Sequence, residues 1–94
     1  MNKENIKNIL IERGYSVAGA ETASADLVSI SDSLKPLLES WLSDGMETDY
    51  ESNGITVKGI MAKFGMKYPA ALLSVDWVIR DPKTAIAVIK RGLR

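Results

Sequence analysis

Asp49, Glu51, Asn53 and Gly54 stand at the first, third, fifth and sixth positions of an EF-hand loop, a pattern of oxygen ligands around a turn glycine that suits calcium. The twelfth position, which should supply a bidentate carboxylate, is Ile60, an apolar residue in register with the helix that follows. No metal site is therefore expected. The segment reads instead as a solvated acidic loop in which Ser52 or Asn53 caps the next helix. Glu47 with Asp49 or Glu51 forms the remaining carboxylate pairing, but acids clustered in a polar loop are usually solvated, and nothing nearby would raise one pKa for acid–base work.

A second group of residues is basic. Lys58, Lys63, Lys67 and Tyr68 surround the junction of two apolar stretches, and Lys83, Lys90, Arg91 and Arg94 follow. Cations so grouped are candidate phosphate contacts, and the junction has the layout of a helix-turn-helix: a helix over 55–64, a turn over 65–68 and a second helix opened by Pro69. The content fits less well. A recognition helix needs polar side chains to read base edges, whereas residues 69–79 offer mainly Ala, Leu and Val, with Asp76 repelling phosphate.

The chain contains no histidine and no cysteine. That excludes thiolate and imidazole chemistry, the usual zinc sites and disulfides. The glycines have neither P-loop nor dinucleotide-fingerprint spacing, so no cofactor or small-molecule substrate is implied. The chain is read as a non-enzyme.

The elements that must carry these residues are helical. Ile6, Ile9 and Leu10 share one face of a first helix over 2–13, closed by Gly14. From Ala20 a seven-residue series runs through Leu27, Leu34 and Trp41, with Ala23, Ile30 and Leu37 between. Pro36 interrupts it, which predicts a kink, or a break near 31–33 with Asp32 or Ser33 capping a new helix that ends before Gly45. Val17 and Val28, in Ala- and Ser-rich surroundings, leave room for a short strand. The stretch from Asp44 to Gly54 lacks apolar periodicity and reads as a loop, the only internal boundary.

Beyond it, Val57, Ile60, Met61 and Phe64 fall on one helical face that ends at Gly65. The segment Pro69–Arg80 is apolar nearly all round, so it must be central or lie in an interface, with an Asp76–Arg80 pair as a thin exposed strip. Asp81 and Pro82 open a last helix running through Arg91, with Ile86 and Ile89 inward.

Charge divides unevenly. Residues 1–54 hold four basic groups against ten acids and residues 55–94 hold eight against two, net −6 and +6 in a neutral chain. Packing of one half on the other, within the fold or across a dimer, is the simplest account; a nucleic-acid face is the alternative. With 46% hydrophobic and 26% charged residues, a packed core is expected.

The expected fold is all-α: one domain over 1–94, a bundle of about five helices, acidic over 1–54 and basic over 55–94. Ninety-four residues bury a modest share of their surface. A helix as apolar as 69–80 thus calls for cover from a second copy or another protein, and Trp41, Tyr68, Leu72 and Trp77 are the candidate interface residues. The expected function is a small protein-interaction module that self-associates as a dimer; the alternative is a DNA-binding helix-turn-helix regulator. No run of about 18 apolar residues marks a membrane span, nor is there a signal peptide, and the lack of cysteine suits the cytoplasm.

Overall fold

A computed structural model describes residues 2–92, and the chain divides between Met46 and Glu47 into two compact units. Six helices and one two-stranded hairpin make up the described residues. Helices dominate, as the apolar spacing requires. The dividing point falls inside the loop read from the sequence but ahead of three of its four acids, so Glu47, Asp49 and Glu51 belong to the basic unit and Asp44 to the acidic one. The units then carry seven acids against four basic groups and five against eight, net −3 and +3.

The first unit has three helices. α1 (Lys3–Glu12) is capped by Asn2, whose Oδ1 accepts from the Asn5 amide at 2.9 Å. α2 (Val17–Leu27) is capped by Ser16, whose hydroxyl accepts from the Gly19 amide at 3.0 Å. Val17 thus opens a helix and Val28 closes it, so no strand forms at either residue. Glu21 on α2 pairs with both Lys3 and Lys7, one helical turn apart on α1.

The seven-residue series breaks rather than kinks at Pro36. α3 (Lys35–Asp44) starts after a turn, with Pro36 in its first turn, where a missing amide costs nothing. Its N-cap is Leu34, without a side-chain cap bond, and neither Asp32 nor Ser33 takes that role; Asp32 pairs with Lys35 at 2.9 Å. The series still points inward on both sides of the break, since Ala20, Leu27, Ile30, Leu34 and Trp41 are all buried. Gly45 closes α3 at φ 74°, the left-handed conformation that glycine adopts without a Cβ penalty. Arg13 covers the same end. Its guanidinium donates to the Leu42 carbonyl at 3.0 Å and stacks 4.6 Å from the Trp41 ring centroid.

The second unit begins with the acidic segment, which is more than a loop. β1 (Glu51–Ser52) pairs antiparallel with β2 (Ile55–Thr56) through Asn53 and Gly54, at φ 53° and 82°. Positive φ at both central residues is what a two-residue hairpin turn demands, and Asn-Gly is the pair that supplies it. α4 (Val57–Phe64) follows directly and is capped by Thr56, whose hydroxyl accepts from the Gly59 amide at 2.9 Å, not by Ser52 or Asn53. Asp49 adds a second acceptor, 3.0 Å from the Lys58 amide, and the Val57 amide donates to the Tyr50 carbonyl. Three amides of the first turn are satisfied, and a carboxylate sits at the positive end of the helix dipole.

Gly65 ends α4, and α5 (Tyr68–Arg80) starts at Tyr68, one residue before the expected proline. α5 is central to this unit: Tyr68, Pro69, Ala71, Leu72, Val75, Asp76 and Val78 are buried. α6 (Pro82–Gly92) is preceded by Asp81, whose carboxylate lies 3.4 Å from the Thr84 amide, and it buries Ala85 and Ile89 while Ile86 is half-buried.

Candidate interaction face

Tyr68 links the acidic segment to α5. Its ring is buried, and its hydroxyl donates to the Thr48 carbonyl at 2.6 Å, four residues before the hairpin turn begins to form at Ser52. Burial pushes the phenol up to about 12, helped by the negative charges of Glu47 and Asp49. The side chain read from the sequence as a nucleic-acid contact or an interface residue is instead an internal tie. Two other candidate interface residues are also internal, Leu72 fully buried and Trp41 stacked under Arg13.

Trp77 is different. It is 39% exposed although α5 is otherwise the most buried helix of the unit, and it shares the outward side of α5 with Ala70, exposed, and Leu73 and Ser74, both half-buried. The Ser74 hydroxyl turns back to the Ala70 carbonyl at 3.2 Å and the Met66 sulfur at 3.6 Å, so this side of the helix offers no unpaired hydroxyl. Beside it, Arg80 Nε is 2.9 Å from Asp76. The expected ion pair forms, but Asp76 is 8% exposed and lies inside rather than on a solvent strip. Burial of the acid is tolerated because the guanidinium meets it directly.

The basic residues do not form one stripe. Lys58, Lys63, Lys67, Lys83, Lys90 and Arg91 are all exposed, and Arg94 lies outside the described residues. Lys58 and Lys63 are five residues apart, about 140° around α4. They line different clefts, Lys58 with Glu47, Met61 and Met66, and Lys63 with Gly54, Ile55, Ile60 and Ile89 in a hollow of ≈ 130 Å³. Lys63, Lys90 and Arg91 occupy the last turns of α4 and α6, where cations offset the helix dipoles. Those two ends adjoin, since a Cβ on Gly92 would come within 2.8 Å of the Phe64 ring.

No known protein family, curated protein or solved structure matches this chain.

The chemistry of the site follows from its geometry alone. Asp49 and Glu51 turn their carboxylates onto backbone amides, Asp49 onto Tyr50 and Lys58, and Glu51 onto Gly54 at 2.8 Å. Among the described residues no cluster of three or more acids is placed to hold a metal ion. No helix among them is long and apolar enough to cross a membrane. A helix-turn-helix would use α5 as its reading helix, yet between Lys67 at its N-cap and Arg80, which Asp76 engages, α5 carries no cation.

Two features escaped the sequence reading. The Asn53–Gly54 pair was a direct hairpin signal, masked by taking the acids around it as a solvated loop. The outward strip of α5 had no visible signal, because a helix apolar on every side does not disclose which side its neighbours leave open.

Proposed function

We propose that this chain is a small protein-interaction module that self-associates, with the outward side of α5 around Trp77 as its docking face. The observation that carries the reading is the exposure of Trp77 on a helix whose other large side chains are mostly covered. An indole left partly in water offers a large, rigid area for a partner to cover, and tryptophan is enriched among residues that dominate binding energy. The setting is taken to be cytoplasmic, in keeping with a sequence free of cysteine. A helix-turn-helix regulator draws less support, since the basic groups serve two clefts and two helix ends.

Solution mass measured by light scattering from micromolar to submillimolar protein tests the proposal. A mass rising from one to two chains is expected, and Trp77→Ala should weaken the association by about 2 kcal/mol, or roughly thirtyfold. A single-chain mass at every concentration would end the self-association reading.

A further inference from the structure

Although the basic residues of the second unit do not form one stripe, three of them share a face of α6. At about 100° of rotation per residue, Lys83, Lys90 and Arg91 fall within an arc of about 100° with Ala87 between them. All four are exposed, and the arc lies opposite Ala85 and Ile89, the two residues that α6 buries. Lys83 and Lys90 stand about 10 Å apart along the axis, with Arg91 to one side.

The charge of this face is uncompensated. Lys3, Lys7, Lys35 and Arg80 each pair with an acid, whereas among the described residues Lys83, Lys90 and Arg91 meet no carboxylate. α6 contains no acid, and the carboxylate of Asp81, just ahead of it, lies toward the Thr84 amide. Arg91 Nε reaches only the Ala87 carbonyl of its own helix, at 3.4 Å. Helix stability accounts for Lys90 and Arg91, which sit at the negative end of the dipole, but not for Lys83. Lys83 occupies the first turn, where the dipole favours an acid and opposes a cation. It extends the basic face at the expense of the helix that carries it, the kind of local conflict that marks a functional position.

From this arrangement we infer that the outward face of α6 binds the phosphate backbone of nucleic acid. Cations spread along a rod match a row of phosphates better than a single anion, which would need them gathered about one point. The arc has no Asn, Gln or aromatic side chain to read a base edge or stack on a base, so binding is independent of sequence. An anionic membrane is the poorer match, because the arc offers no large apolar side chain for insertion; the exposed Val88 falls outside it. The face lies on a different helix from Trp77, and the inference does not depend on self-association.

Titration of the whole chain against a labelled DNA duplex of about 20 base pairs, between about 50 and about 200 mM salt, tests it. Three phosphate contacts predict a slope of about −2.7 in log K against log salt, so binding should weaken roughly fortyfold across that range. A duplex of unrelated sequence should bind equally well. Lys83→Gln and Lys90→Gln should each reduce the steepness of the slope by about 0.9 and weaken binding about tenfold at the lower salt. Lys58→Gln makes the same change of net charge on α4 and should leave both unchanged. All three positions are exposed, and circular dichroism checks that each variant keeps its helices. No binding at about 50 mM salt overturns the inference, as does equal weakening by Lys58→Gln, which would reduce the effect to net charge. Tighter binding to phosphatidylserine vesicles than to the duplex at matched salt would also overturn it and assign the face to membranes.

Discussion

Replacing Tyr68 by phenylalanine removes one oxygen from the second unit and keeps the buried ring. At neutral pH the change takes away the 2.6 Å hydrogen bond to the Thr48 carbonyl, a net contribution of about 1 kcal/mol. Thr48 is exposed, so water can reach its carbonyl and no buried acceptor is stranded. The larger consequence appears in alkali. The phenol is pushed up to about 12 in the folded chain, from an ordinary value of 10.0. A raised folded pKa means that the native state keeps its proton over a range where the unfolded chain has lost it. The stability linked to Tyr68 is therefore complete below pH 10 and declines as pH rises from there toward 12, at up to about 1.4 kcal/mol per pH unit. Part of the shift comes from Glu47 and Asp49, which are exposed and screened, so a total loss of about 1 to 2 kcal/mol is expected. Urea unfolding followed by circular dichroism, from about pH 8 to about pH 11.5, measures this for the parent chain and for Tyr68→Phe. Lysine ionisation and Tyr15, whose phenol burial also raises, affect both proteins alike and cancel in the difference. The parent should be the more stable at the lower end of that range and lose its advantage with rising pH. A difference constant across the range would show that the phenol does not titrate as an internal group, and the account of Tyr68 as a tie between the acidic segment and α5 would fail.

Gly54→Ala should destabilise the second unit by about 1 kcal/mol through the backbone alone, since φ is 82° and an added Cβ would meet nothing within 4 Å; hydrogen exchange at the hairpin amides should rise, and an unchanged rate would argue against the turn geometry. Arg13→Ala should cost the first unit about 1 to 2 kcal/mol by uncovering the C-terminal end of α3, with a shift in Trp41 fluorescence that a remote substitution would not produce. Glu21 is held below the ordinary carboxylate value, chiefly by hydrogen bonds from Lys3 and Lys7. A lowered folded pKa contributes stability present above the unfolded value of 4.5 and lost as pH falls below it, so Glu21→Gln should flatten the acid limb of the stability curve, most clearly at low salt.

The sequence by itself determined the helices and most of their ends. Apolar residues at three- and four-residue intervals, glycines at 45 and 65, and Asp81 before Pro82 are local signals, and the chain adopts the helices, ends and turns they describe. The inward direction of the series Ala20, Leu27, Leu34 and Trp41 was legible even across Pro36, because each position lies on the apolar face of its own segment. Other features depended on residues far apart in the chain. Asp49 became a helix-capping acid only when the Asn53–Gly54 turn folded it back against α4, nine residues before the amide it accepts from. Tyr68 was internal because Thr48, twenty residues earlier, came within reach of its hydroxyl. Lys58 and Lys63 were adjacent in a count of charges but parted by the helix between them. α5 shows the limit most plainly. Periodicity encodes orientation only through contrast between faces, and a helix apolar all round has little contrast to read. Which side faces outward, and hence that Trp77 rather than Tyr68 or Leu72 is exposed, was decided by where α4, α6 and the hairpin packed.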